Sequence, residues 1–157
     1  RVATKTLGIC PGSEEVYLAL RGLPTLNLRL KKIESNALKL AKELNEHPLV
    51  DQVYHPAIET SKNHHIWKRD FTGSSGLFSF SLKKFYTQAS IKKMFSKISI
   101  FKLGYSWGGY DSLITFPPLS KRKFKTHFNG NLIRVYCGLE DSKDQVKDII
   151  NSLKFLK

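Results

Sequence analysis

The sequence predicts an α/β fold of the α+β sandwich type: a small, mainly antiparallel sheet covered by helices. Three observations predict it. An apolar stripe steps by four and three from Leu26 to Leu44, which is a long amphipathic helix. Short β-patterned runs begin at Val50, Leu77, Leu113 and Leu132. The elements then run helix pair, strand, strand, helix, strand or loop, strand, helix, an order that suits one sheet with helices packed on it. With 157 residues, the chain is long enough for one domain to fold without disulfide or metal staples.

Each element has a local reason. Gly12-Ser13-Glu14-Glu15 predicts a helix start, with Ser13 as N-cap and two acids in the first turn, where the helix dipole favours them. This helix runs to about Leu20, and Gly22 breaks it. Pro24 suits the first turn of a second helix. Leu26, Leu30, Ile33, Ala37, Leu40 and Leu44 form its inner stripe, and Lys31, Lys32, Glu34, Lys39, Lys42 and Glu43 its outer face. His47-Pro48 ends it, because the residue before proline disfavours the α region. A short strand from Val50 to His55 follows, then a loop from His55-Pro56 through Lys62-Asn63-His64-His65 to Trp67.

Gly73-Ser74-Ser75-Gly76 predicts a turn, and Leu77 to Leu82 a half-buried strand with Phe78, Phe80 and Leu82 on one face. Ile91, Met94, Phe95 and Ile98 recur at helical spacing. Leu103 to Tyr110 holds too many glycines for regular structure. Leu113 to Phe116 and Leu132 to Cys137 are two further strands. Asp141 or Ser142 caps the last helix, whose buried side carries Val146, Ile149, Ile150 and Leu153. No internal repeat and no low-complexity linker interrupts the pattern.

Composition excludes several classes of function. Hydrophobic residues make up 41% of the chain, so it is globular rather than disordered. Its longest apolar runs fall far short of the roughly 20 residues that span a bilayer, so no membrane role is expected. The formal charge is +13, which raises nucleic acid as a partner. Its distribution argues against that: Lys outnumbers Arg among the 26 basic residues, and they are scattered. Only Lys121-Arg122-Lys123-Phe124-Lys125 is dense, and it reads as a solvated loop. Cys10 and Cys137 show no CxxC spacing, which fits buried thiols in a reducing cytoplasm.

Most candidate chemistry fails on spacing. Adjacent His64 and His65 near Glu59 diverge on any regular backbone, so they read as loop polarity rather than metal ligands. Gly73 to Gly76 lacks the Lys and Ser or Thr of a phosphate loop. Ser106 is followed by Trp107-Gly108-Gly109, not by the pattern of a nucleophile elbow. Arg134 is different. It lies inside a strand between Ile133 and Val135, where an unpaired guanidinium is costly and something anionic should meet it. The residues alone leave two readings open: a structural ion pair with Asp or Glu, and a bidentate fork for a substrate carboxylate.

Tyr105-Ser106-Trp107-Gly108-Gly109-Tyr110-Asp111-Ser112-Leu113, together with Leu132 to Asp141, resembles the carboxy-terminal part of the pyridoxal-phosphate enzymes of cysteine and methionine metabolism. Tyr17 to Leu23 with Thr25-Leu26 is similar to the family's helix linking its large and small domains. Trp67-Lys68-Arg69-Asp70-Phe71 with Gly73 and Ser75 to Phe80 resembles the strand region of the small domain. Within the family, Trp107 and Tyr110 around the glycine pair resemble the cystathionine β-lyase branch, while Asp111 stands where Glu is common.

The resemblance implies a trans-sulfuration lyase of methionine biosynthesis. It implies pyridoxal phosphate as cofactor and β-elimination of cystathionine to homocysteine, pyruvate and ammonia. By resemblance Arg134 holds the α-carboxylate of the amino-acid substrate, and Ser106 and the backbone of Trp107 lie beside it. Residues 1–22 would be the linker and first helix, and residues 23–157 the small domain. The Schiff-base lysine, the acid that pairs with the pyridine nitrogen and the ring-stacking tyrosine belong to the family's large domain. No catalytic residue is therefore expected here, and Lys5 in Ala3-Thr4-Lys5-Thr6 lies too close to the linking helix to be that lysine. The chain opens with Arg1, so the expectation is one part of a longer or split enzyme, partnered by a missing N-terminal half or by further copies, and inactive alone. The alternative is a non-catalytic interaction module, or a decayed gene product, of the same fold.

Overall fold

The computed structural model describes residues 2–117, 119, 123 and 128–157. Its elements are α1 (Val2–Thr6), α2 (Ser13–Gly22), a 3₁₀ turn (Leu23–Thr25), α3 (Leu26–Glu46), β1 (Val50–Tyr54), α4 (His64–Asp70), β2 (Leu77–Leu82), α5 (Gln88–Phe95), β3 (Lys102–Leu103), β4 (Leu113–Thr115), β5 (Leu132–Tyr136) and α6 (Ser142–Leu153). The sheet has the order β1-β2-β5-β4-β3. Every pairing is antiparallel except β3 with β4, so the mainly antiparallel, helix-covered sheet is as the sequence predicts.

The core lies between one sheet face and the helices. Ala37, Leu40, Ala41 and Leu44 of α3, with Ile149 and Leu153 of α6, pack in one cluster with Phe78, Phe80, Ile114, Ile133 and Val135. Burying each large apolar side chain contributes on the order of 1.5–3 kcal/mol, so α3 is held by this stripe rather than by its own propensity. The stripe stops short of its predicted start, because Leu26 and Leu30 at the beginning of α3 are exposed.

At the other end, Asp141 settles the capping alternatives: its Oδ1 accepts from the Lys143 N–H at 2.7 Å, and that bond holds its carboxyl below the usual range. Asp148, on α6, takes four bonds from the segment after α5. Its carboxylate accepts from the N–H groups of Ser99, Ile100 and Phe101 and from the Ser99 hydroxyl.

Several expectations are corrected. Gly12, not Ser13, occupies the N-cap of α2, and no side chain caps it. Gly22 does not break the helix at Leu20. It is the last residue of α2, and the chain continues through the 3₁₀ turn, with Pro24 near its start, directly into α3. Residues 2–6 form a helix that the sequence reading did not anticipate.

The segment from His64 to Asp70 is α4 rather than loop, so Trp67 to Asp70 is helical and only Leu77–Leu82 of that region is strand. A seven-residue helix has too few turns to show an apolar period. Leu103 pairs in the short β3 instead of opening the glycine loop. Cys137 is buried, but Cys10 is exposed. The basic run from Lys121 to Lys125 lies outside the described residues except for Lys123.

Candidate functional site

The site forms where the chain must connect two parallel strands with very little length. Parallel neighbours ordinarily need a crossover of a dozen or more residues. Here β3 and β4 pair only through Lys102 with Leu113 and Leu103 with Ile114, and residues 104–112 make the return. So tight a return explains the glycines: Gly108 has φ +90°, a region that other residues rarely adopt.

Both ends of the loop are tied down. Lys102 Nζ donates to Asp111 Oδ1 at 2.7 Å, and Tyr136 donates its hydroxyl to the Gly109 carbonyl at 2.8 Å. The Leu139 N–H donates to the Tyr110 carbonyl at 2.8 Å. Gly138 makes this approach possible, because a Cβ there would stand 2.1 Å from the Tyr110 oxygen.

Beneath the loop, the buried Ser112 hydroxyl accepts from the Gly138 N–H at 2.8 Å and from Gln145 Nε2 at 2.9 Å, and donates to Glu140 Oε2 at 2.8 Å. One donor and two acceptor positions are then all used. Glu140 also accepts from the Ser112 N–H, and Asn36 Nδ2 donates to the carbonyls of Gly138 and Glu140 at 2.9 and 2.8 Å. Helices α3 and α6 thereby hold the β5 exit and the glycine loop as one unit.

Arg134 stands on the sheet face turned away from the helical core. In register it faces Ser79 of β2 and Thr115 of β4, which sets a hydroxyl on each side of the guanidinium's strand position. Arg134 meets no carboxylate among the described residues, so of the two readings the sequence leaves open, the structural ion pair with Asp or Glu is not the one formed. Arg134 Nη2 donates instead to the Tyr105 carbonyl, and the guanidinium lies 5.8 Å from the Tyr105 ring centroid. The structure thus joins Arg134 to the residue just before Ser106. Ser106 and Trp107 are exposed on the same loop, and Trp107, Tyr105 and Tyr110 are each more than 60% exposed.

Neighbouring acids are committed elsewhere, Asp111 to Lys102 and Glu140 to Ser112. The donors that remain suit a carboxylate; none of these groups suits the pyridine nitrogen of pyridoxal phosphate, which needs an acid. Lys5 lies exposed on α1, outside the loop that carries Ser106 and Trp107.

Sequence reasoning missed Asn36, Tyr105, Ser112, Tyr136, Glu140 and Gln145 as site-building residues. Asn36 carried a signal, being a polar residue beside the apolar stripe of α3 and 1% exposed in the fold. Gln145 and Glu140 carried none, because their roles depend on partners distant in sequence. His64 is absorbed into α4, where its ring lies 5.4 Å from that of Trp67.

The family model for Cys/Met metabolism PLP-dependent enzymes matches residues 1–154, and the chain belongs to that family. It is 43% identical over 148 residues to the cystathionine beta-lyase MetC of Escherichia coli (strain K12), a match covering 91% of this chain and 38% of that protein. It is also 37% identical over 150 residues to the L-alanine/L-glutamate racemase of Wolbachia pipientis wMel, covering 92% of this chain and 37% of that one. A solved cystathionine gamma synthase from Xanthomonas oryzae pv. oryzae, in complex with aminoacrylate and cysteine, superposes with a TM-score of 0.82 at 28% identity, over 96% of this chain and 40% of that one. The chain therefore spans about 38% of the length of the curated lyase it matches. The family is pyridoxal-phosphate dependent, and no helix among the described residues is long and apolar enough to cross a membrane.

Proposed function

We propose that residues 23–157, with 1–22 as linker and first helix, are the small domain of a carbon–sulfur β-lyase that cleaves cystathionine to homocysteine, pyruvate and ammonia. In this reading the isolated chain does not turn over. The observation that carries it is Arg134, a guanidinium at the mouth of a pinned glycine loop with no carboxylate partner among the described residues. Only one of its five N–H donors is given to the Tyr105 carbonyl, so the fork can donate two parallel bonds to an α-carboxylate.

Pyridoxal phosphate, when bound, supplies the electron sink for charge developing at Cα. This chain's own residues fix the substrate: Arg134 orients it by its carboxylate, and Ser106 and the backbone of Trp107 lie beside that carboxylate. The two free cysteines support a reducing compartment, and we place the activity in the cytoplasm, in methionine biosynthesis.

The first sixth of the chain supports dependence on a larger partner. Helices α1 and α2 and the 3₁₀ turn bury no residue, and Val16, Tyr17, Leu18, Leu20, Leu23 and Leu28 are exposed. Such apolar surface marks a contact with another protein surface. A non-catalytic interaction module would share that feature, so turnover must separate the two.

The test mixes this chain with the portion of the Escherichia coli relative that it does not match, expressed separately, and measures pyruvate released from cystathionine with added cofactor. Release from the mixture and not from either part supports the reading. Borohydride reduction after incubation of this chain alone with the cofactor should give scattered, substoichiometric lysine labelling. One stoichiometric adduct with pyruvate release would overturn it. The racemase relative favours a second reading, because racemisation also needs an amino acid held by its carboxylate. Inversion of L-alanine by the same mixture, without pyruvate from cystathionine, would establish that alternative.

A further inference from the structure

Asn129 and Gly130 lead into β5, and theirs is the one Asn-Gly step in the chain. Asparagine before glycine is open to a reaction of its own. The backbone nitrogen of the following residue can attack the side-chain amide carbon, and glycine has no Cβ to block the approach. The chain holds seven asparagines, and the fold protects the other six. Asn27, Asn36 and Asn45 lie in α3 and Asn151 in α6, where helical backbone turns the next nitrogen away from the side chain. Asn63 stands at the N-cap of α4, and the His64 N–H after it is given to the Ser61 carbonyl at 3.0 Å. Asn131 is buried, with both atoms of its amide committed to the Tyr86 backbone.

Asn129 lacks these protections. It is exposed in a bend outside helix and strand, and among the described residues the Gly130 N–H donates to no acceptor. Nor can the glycine be exchanged, because a Cβ there would run into the carbonyl oxygens of Leu82 and Lys84. One contact restrains the amide: Asn129 Nδ2 donates to Asp51 Oδ2 at 3.1 Å, which pins it to the edge strand β1. The Asp51 carboxylate also sets negative charge beside a reaction that begins with loss of a backbone proton.

We propose that Asn129 is a site of spontaneous deamidation whose rate Asp51 restrains, and that the reaction cuts the tie between β1 and the entry to β5. The Gly130 nitrogen gives its proton to hydroxide and forms a bond to Asn129 Cγ, and the amide nitrogen takes a proton from water and leaves as ammonia. Water then opens the cyclic imide at either carbonyl, leaving aspartate or isoaspartate at position 129. Nothing is oxidised or reduced. In both products a carboxylate faces Asp51, so like-charge repulsion replaces the hydrogen bond. Isoaspartate also lengthens the main chain by one atom just before Gly130, where the Leu82 and Lys84 carbonyls leave no room for a shift. The site is independent of the lyase reading, and neither proposal fails with the other.

The test ages the full chain in mildly alkaline buffer. Peptide mass mapping with fragmentation follows deamidation at each asparagine, and enzymatic methylation follows isoaspartate. Asn129 should convert first. Asp51→Ala, at an exposed position, should speed that conversion about threefold, the worth of one weak hydrogen bond. Tyr136→Phe, which removes a bond at the other end of β5, should leave the rate unchanged. Asn129→Asp should lower the urea midpoint, and adding Asp51→Asn should restore it by reversing the donor and acceptor of the pair. Earlier conversion at another asparagine would overturn the proposal. So would a rate that Asp51→Ala leaves unchanged or that Tyr136→Phe raises equally, or a loss in Asn129→Asp that Asp51→Asn does not restore.

Discussion

Tyr136 on β5 reaches across to the glycine loop and donates its hydroxyl to the carbonyl of Gly109 at 2.8 Å. The ring is buried and the loop is exposed, so this one bond carries order from the sheet to the segment bearing Ser106 and Trp107. Tyr136→Phe keeps the packing and removes the bond. It should lose about 0.5–1.5 kcal/mol in urea unfolding and speed amide exchange at Gly108 to Tyr110. Burial raises the phenol above its usual 10.0. The neutral form is therefore favoured in the folded chain, and its stabilisation is complete below pH 10 and lost as pH rises towards the folded value. The gap between wild type and variant should narrow above that pH, and a gap independent of pH would contradict the assignment.

Ser112 is the junction of three elements. Ser112→Ala leaves the Gly138 N–H without an acceptor and takes away one of the acceptors for Gln145 Nε2. A buried group left unpaired costs about 1–3 kcal/mol, so this exchange should destabilise more than Tyr136→Phe, although it removes a single oxygen. Urea midpoints of the two variants, measured side by side, decide the order.

Asp148 satisfies three consecutive backbone N–H groups and a hydroxyl from Ser99 to Phe101. Asp148→Ala should cost roughly 3 kcal/mol, because hydrogen bonds to a charged acceptor are worth more than neutral ones. Asp148→Asn keeps one acceptor oxygen and should recover part of the loss. Equal stability of Ala and Asn at this position would show that the bonds contribute nothing.

How much of this was legible depended on where the causes lie. Helix α3 was readable because Ile33, Ala37, Leu40 and Leu44 repeat at a period that only one buried face produces. The strand from Leu77 to Leu82 was readable by its alternation, and Arg134 stood out as a charge inside an apolar run. The end of α2 was misread because Gly22 usually stops a helix, yet α2, the 3₁₀ turn and α3 follow one another without extended backbone. Helix α4 has too few residues for periodicity to speak. The Ser112 junction was invisible for a different reason: Gln145 bonds Ser112 from 33 positions away and Asn36 bonds the Gly138 carbonyl from 102, and local pattern carries no trace of such pairings.

His55 sets an acid limit. Burial lowers its pKa from 6.5, so the folded chain favours the neutral ring while the unfolded chain protonates normally. Its stabilising contribution is present above pH 6.5 and is lost as pH falls through the folded value. The partly buried His47 is lowered by the same cause and acts in the same direction. The chain should therefore weaken progressively below pH 6.5, and the His55 ring protons should titrate below that value in an NMR pH series. A midpoint at or above 6.5 would refute the assignment.

Arg134 and lysine differ at this position in geometry rather than charge. Arg134→Lys keeps the cation but replaces a planar fork with a single ammonium, so two parallel bonds to a carboxylate become one. In the reconstituted enzyme, kcat/KM for cystathionine should fall about 30-fold, the equivalent of roughly 2 kcal/mol, mainly through a higher KM if the carboxylate is gripped equally in ground and transition states. Stability should change little, because Arg134 is half-buried and gives one bond to the Tyr105 carbonyl. A purely structural role predicts the opposite pattern, a shifted urea midpoint with KM unchanged. Binding of a substrate analogue lacking the α-carboxylate separates the two further: it should be equally weak with Arg and with Lys if the fork holds that carboxylate, and should differ between them if Arg134 acts only by holding Tyr105.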